Sequence, residues 1–333
     1  MMKQRNETYD LMKGIALILM MLCHLVYTDG PVKHFIYSFH MPLFFILAGV
    51  FAKNIEDILS FKDYTRKNAK RLLLPYVVTM LMLCAWGGIQ AILKHNASFF
   101  LRHVFSMITA SADGWETKWG LIYAGPIWFL VALFWVRELF YGIQRMCMRV
   151  KKYGDESVVV ISVIISLASV LIYPYLPSLP FSIMQACTAL AFYAVGWYVH
   201  NHPQPWWVYG ISLVVWPLAI LYGGVGLDSC ALQYYPLSFI GACGGTYVVY
   251  ILCKEYSILR TKIYNPISII RWVGLSSLAI LCMHDLEMYS DVMFSLKCRI
   301  SSLECIMGWG EIVIAMILAY IIMKIPFIKD IYK

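Results

Sequence analysis

Ten apolar runs of about 17 to 22 residues recur along this 333-residue chain, roughly at 11–27, 35–52, 72–93, 121–142, 157–173, 181–199, 206–223, 232–252, 272–290 and 307–325. A helix rises ~1.5 Å per residue, so runs of this length cross most or all of ~30 Å of hydrocarbon. Backbone placed in hydrocarbon must satisfy its own hydrogen bonds, and the expected architecture is an all-α polytopic membrane protein with about ten transmembrane helices. Composition agrees where it discriminates. The chain is 61% hydrophobic and 14% charged, against about 25% charged in ordinary soluble domains. The longest stretch between runs, roughly Lys94 to Gly120, is too short for an independent core. Residues 1–333 therefore read as one transmembrane domain.

The first run follows Lys3, Arg5 and Lys13 and so resembles the front half of a secretory signal. It lacks a small-x-small cleavage site, and Tyr27-Thr28-Asp29-Gly30-Pro31 leads straight into the second run, which makes it an uncleaved first helix. The net charge of +8 raises the question of nucleic acid. The Lys and Arg residues cluster between the apolar runs, however, and no basic helix or RNA-reading motif occurs. With the N-terminus placed inside, alternating segments assign 21 of the 27 Lys and Arg residues to the inner side. The positive-inside rule then expects both termini in the cytoplasm and a multi-pass protein of the inner (plasma) membrane.

The ten cysteines form no CxxC pair, and most lie inside apolar runs, which fits small buried hydrophobes rather than a metal site. Cys298 and Cys305 lie in or beside one outer loop and leave a disulfide open. The segment Tyr173 to Pro180 separates two short spans with three prolines. Gly241 and Gly245 make a GxxxG spacing that lets a neighbouring helix approach closely. Gly223-Gly224-Val225-Gly226 reads as a loop and not as a phosphate cradle, because no helix of the required pattern follows it.

An ionisable side chain inside a span is costly and needs a reason. His24, His40 and His284 fall within roughly 10 Å of the expected outer boundary. Three imidazoles in one layer suggest a shared polar cavity, although each taken alone is better explained by a hydrogen bond to a neighbouring helix or by interfacial water. Lys13 precedes His24 by 11 residues, close to three turns, and Asp10 precedes it by 14, close to four. One face of the first helix thus carries a carboxylate and an ammonium near the inner boundary and an imidazole ~16 Å above Lys13. A neutral imidazole in a cavity is a general base suited to neutral pH. The plainer role for Lys13 is a boundary anchor.

The run Tyr9-Asp10-Leu11-Met12-Lys13-Gly14-Ile15-Ala16, continuing to Cys23-His24, resembles the first-helix motif of the acyltransferase-3 family. Ser38-Phe39-His40-Met41-Pro42-Leu43-Phe44-Phe45-Ile46-Leu47-Ala48-Gly49 is similar to that family's second motif, with Ala48 where many members have serine. Gly125 to Phe134, containing Trp128, resembles the tryptophan motif of the fourth helix, and Gly274 to His284 resembles the late-helix motif ending in histidine. The resemblance implies about ten helices, acyl-CoA (acetyl-CoA the expected form) used from the cytoplasmic side as donor substrate, and no bound cofactor. It implies catalytic roles for His24, Asp10 and Lys13, the last standing where arginine is common. The charge is kept there and the bidentate fork is lost. Family members also carry an arginine pair before the third helix. Here the segment reads Arg66-Lys67-Asn68-Ala69-Lys70-Arg71-Leu72-Leu73-Leu74-Pro75, with altered spacing to Pro75.

Coenzyme A carries several phosphate charges, which suit a basic patch. Lys13, Arg66, Lys67, Lys70 and Arg71 are the candidates to bind it, with topology alone as the competing explanation. His40, Trp128 and His284 are candidates for the cavity or acceptor site. Tyr123 reads as an interfacial aromatic, whereas Trp128 fits either an interface or stacking on a sugar ring. Asp113, Trp115, Glu116 and Trp119 read as solvated loop, and His200 and His202 as structural. The expected activity is acyl transfer to a hydroxyl of a surface polysaccharide or lipid-linked glycan precursor. The alternative is a transporter or flippase for such a precursor, which would show broken mid-membrane helices; the apolar runs show none clearly.

Overall fold

The computed structural model describes residues 6–25, 30–58, 60–112, 123–149, 154–176, 179–259, 267–289 and 304–332. The chain opens with α1 (Glu7–Leu25), α2 (Pro31–Tyr37), α3 (His40–Val50), α4 (Phe61–Leu93) and α5 (Ser98–Thr109). It continues through α6 (Trp128–Arg149), α7 (Asp155–Ile172), α8 (Ile183–Asn201) and α9 (Trp207–Tyr222). A two-stranded hairpin, β1 (Gly224–Gly226) and β2 (Ala231–Gln233), follows. α10 (Tyr235–Leu259), α11 (Ile267–Leu275), α12 (Ser277–Tyr289), α13 (Glu304–Ile322) and the short α14 (Pro326–Lys329) complete the fold.

The bundle is apolar on the outside. On α7 the buried residues are Val158, Ser162, Ser166 and Ser169, while Val160, Ile164, Leu167 and Leu171 are exposed. Ser166 donates a hydrogen bond to the Thr188 carbonyl at 2.7 Å, and the Ser169 and Thr188 hydroxyls lie 2.8 Å apart. Small polar residues inside and aliphatic residues outside reverse the pattern of a water-soluble helix and match a helix facing lipid. α9 repeats this, burying Ser212 and Ala219 and exposing Leu213, Val214 and Leu221. The protein is an all-α membrane protein.

Every one of the ten apolar runs coincides with a helix or a pair of helices. Among the described residues, four helices are long and apolar enough to cross a membrane by that criterion, and a bent pair makes a fifth. α1 and α6 differ because they carry ionisable residues, including Asp10, Lys13, Arg137 and Glu138.

The structure corrects the expected elements in five places, one of them α5, a 12-residue helix inside the stretch 94–120 that separates two apolar runs. The second run is two helices, not one. Pro42 cannot donate to the Ser38 carbonyl, and the break places the Ser38 hydroxyl on the Phe35 carbonyl at 2.7 Å. The ninth run is also broken: α11 and α12 meet at a bend of 82° beside Gly274, Ser276 and Ser277. Gly and Ser are the residues at which helices kink. The segment 61–71 is helix rather than loop, because the Ser60 hydroxyl accepts from the Asp63 amide at 3.3 Å and caps α4. The Gly224 segment forms β1, with Val225 opposite Leu232.

Two glycine crossings set the frame of the site. A Cβ on Gly14 would collide with the Ile270 carbonyl, and one on Gly274 with the Asp10 carbonyl, so α1 and α11 touch backbone to backbone. Gly49 and Gly196 bring α3 against α8 in the same way. At the expected GxxxG, Gly241 abuts Ala219 and Gly245 abuts Trp216, so α9 and α10 pack as closely as that spacing implies.

Candidate active site

A cavity of about 1620 Å³ runs between α1, α3, α4, α6, α8 and the α11–α12 bend. One end is basic. Asp10 and Lys13 of α1, Lys67, Asn68 and Arg71 of α4, and Arg137 of α6 line it. The other end carries His24, His40, Tyr123 and Trp128, with Val225, Leu227 and Asp228 of the hairpin at its mouth. The stripe expected on α1 is present: Asp10, Lys13, Leu17, Met20 and His24 all face this space.

At the histidine end, the three imidazoles are positioned differently. His40 Nδ1 lies 2.8 Å from the Ile36 carbonyl oxygen, across the break between α2 and α3. A carbonyl only accepts, so Nδ1 carries the proton and a neutral His40 keeps its lone pair on Nε2. His24 is partly buried and its ring centroid lies 5.6 Å from that of His284. His284 is fully buried and is absent from the cavity wall, standing behind His24. Its Nδ1 lies 3.7 Å from Glu287 Oε2, one helical turn on. Trp128 is 4% exposed, and both it and Tyr123 line the cavity.

At the basic end, helical phase divides the expected patch. All four are exposed, but Lys67 and Arg71, four residues apart on α4, line the cavity, whereas Arg66 and Lys70 do not. The structure thus separates the four α4 cations expected to act together. Lys13 Nζ lies 5.4 Å from the Phe51 ring centroid. His200 lines the cavity near this end, and His202 reaches Asp155 at 3.6 Å and the Tyr198 carbonyl at 3.1 Å, tying α8 to α7. Asp113, Trp115, Glu116, Trp119 and the Cys298–Cys305 pairing lie outside the described residues and side chains.

Sequence reasoning missed several residues. Arg137 lies near the inner end of the fourth run, where a charge count assigns it to the inner side, yet it lies within α6 and lines the cavity. Its Nη1 donates to Asn68 Oδ1 at 3.2 Å, Asn68 Nδ2 donates to Glu138 Oε1 at 3.0 Å, and the Thr65 hydroxyl donates to Glu138 Oε2 at 2.6 Å. Asp285 and Glu287, beside His284, are 0% and 5% exposed. The rule that singled out the histidines also applies to Arg137, Glu138, Asp285 and Glu287, all inside apolar runs.

A membrane bundle that encloses one long cavity, cationic at one end and imidazole-lined at the other, has the layout of an integral membrane group-transfer enzyme. The comparison with known proteins gives that class its family: a family model described as an acyltransferase domain matches residues 6–325, and the chain belongs to this acyltransferase-3 family. The nodulation protein NolL of Sinorhizobium fredii (strain NBRC 101917 / NGR234) is 28% identical over 184 residues. That stretch covers 51% of this chain and 46% of the relative, so the chain spans about half the length of that protein. No solved structure matches the chain.

Proposed function

We infer that this enzyme transfers an acyl group, acetyl in the expected case, from acyl-CoA to a hydroxyl of a surface polysaccharide or lipid-linked glycan precursor. The observation that carries the reading is the single cavity joining the basic end to the histidine end. In this reading the basic end faces the cytoplasm, with both termini, in a multi-pass protein of ten crossings in the inner membrane. Lys13, Lys67 and Arg71 hold the anionic part of the donor there, and its flexible arm carries the thioester towards His24.

The chemistry needs a base. His24 takes the proton of the acceptor hydroxyl as its oxygen attacks the thioester carbonyl. The C–S bond then breaks, an ester forms, and the proton passes to the departing thiolate. A positioned base of this kind contributes roughly 10²–10⁴-fold. His284, held beside Glu287, orients His24 from behind, and Asp10 and Lys13 belong to the same stripe at the donor end. His40 and Trp128 face the acceptor.

The test supplies membranes containing the chain with acetyl-labelled acetyl-CoA and glycan from cells lacking the protein. Label appearing in glycan as a base-labile ester supports the reading, and label remaining on CoA contradicts it. The 82° break between α11 and α12 favours the transport reading by the criterion applied to the apolar runs. Glycan crossing vesicles without gaining label would select transport; family membership favours transfer.

A further inference from the structure

Arg137 stands in an unusual electrostatic position. It is nine residues into α6, ~14 Å along the axis from Trp128 at the histidine end. A guanidinium stays charged at any physiological pH and inside a membrane bundle requires compensation. The adjacent Glu138 does not supply it directly, because successive residues on a helix point about 100° apart. The Glu138 carboxylate is instead bound by the Asn68 amide and the Thr65 hydroxyl. Arg137 is held by the carbonyl end of that same Asn68 amide, a neutral group. Among the described residues, no carboxylate lies within ion-pair distance of Arg137. Its Nε is buried and makes no hydrogen bond among them.

The arrangement therefore fixes a guanidinium on the cavity wall through a neutral group and leaves its charge to be met by something else. Lys13, Lys67 and Arg71 line the same end, so the field there attracts an anion with more than one charge. A planar fork held from one side suits a phosphate oxygen pair.

We propose that Arg137 binds the diphosphate of a substrate, with Asn68 and Glu138 as the pair that positions it. This rests on the acyl-CoA reading above and deepens it. Two substrates in that reading contain a diphosphate, the acyl-CoA donor and a polyprenyl-linked glycan acceptor. The position of Arg137 among the cations of the basic end assigns it to the donor. The remaining ~14 Å to the histidine layer is left for the extended pantetheine arm.

The experiment measures equilibrium binding to the full chain in nanodiscs, using acetyl-CoA, acetyl-dephospho-CoA, acetyl-pantetheine and farnesyl diphosphate as probes. Arg137→Gln should weaken acetyl-CoA and acetyl-dephospho-CoA by about tenfold or more, the loss of a charge-assisted contact, and leave acetyl-pantetheine within about twofold. Arg137→Lys keeps the charge without the fork and should fall between. Asn68→Asp removes no cation but gives Arg137 an internal carboxylate, and should weaken the same two diphosphate-bearing probes. An equal loss for acetyl-pantetheine in Arg137→Gln would overturn the proposal in favour of a structural role. A loss confined to farnesyl diphosphate would overturn the donor assignment and move the contact to the acceptor. If the unmodified chain binds acetyl-pantetheine but gains nothing from the diphosphate, the proposal fails while the thioester reading stands. If it binds none of the acetyl thioesters, the acyl-CoA reading itself fails.

Discussion

At the basic end of the cavity, charged side chains are held by hydrogen bonds to neutral ones: Arg137 by Asn68, and Glu138 by Asn68 and Thr65. At the other end imidazoles line the cavity or stand behind its wall, His40 on the Ile36 carbonyl and His24 with its ring centroid 5.6 Å from that of His284. The first arrangement keeps permanent charge available to a ligand. The second presents imidazoles, side chains able to accept and return a proton, with the His40 proton positioned on the backbone. Under the proposed function this difference divides the labour: substitutions at the basic end should change donor affinity, and substitutions at the histidine end should change turnover.

The strongest way to break that division, short of removing His24, is His284→Ala. It should lower kcat by roughly 10- to 100-fold and leave the donor KM within about twofold, because His284 does not line the cavity and acts through His24. A rise in donor KM with kcat preserved would erase the distinction between the ends. Glu287→Gln tests the same chain of contacts one step further back. It keeps the shape and removes the carboxylate 3.7 Å from His284. The expected result is a several-fold fall in kcat, about 1 kcal/mol, again without a change in donor KM.

At the opposite end, Lys67→Gln with Arg71→Gln should raise the donor KM by about tenfold with kcat little changed, as expected for a contact made equally before and during reaction. The matched pair Arg66→Gln with Lys70→Gln sharpens the comparison and has the smallest effect. These residues do not line the cavity, so donor KM should stay within about twofold. Equal effects from the two pairs would mean that net charge, and not the cavity wall, governs binding.

Much of this architecture is legible in the amino-acid sequence. Run length locates every long helix, since a span of hydrocarbon leaves little freedom in length or composition. The 11- and 14-residue spacings put Asp10, Lys13 and His24 on one face of α1, and all three line the cavity. The two breaks are harder to read, because Ser276 and Ser38 interrupt the backbone without interrupting the apolar composition. The division of the α4 cations is invisible while residues 61–71 are read as loop. Ser60 and Asp63, spaced as a helix cap, carry the signal that phases them. Arg137 escapes notice because it lies near the end of its run, where a topology count sees only a charge. The contact between His24 and His284 joins residues 260 positions apart and has no local signature.

The division of labour is tested most directly by one variant with two readouts. His24→Ala, purified in nanodiscs at the same yield and melting temperature as the unmodified chain, is assayed for acetyl transfer and, separately, for acetyl-CoA binding. The expected result is a loss of transfer of roughly 10²-fold or more with binding within about twofold. Transfer close to that of the unmodified enzyme, or a loss of acetyl-CoA binding in step with the loss of transfer, would contradict it.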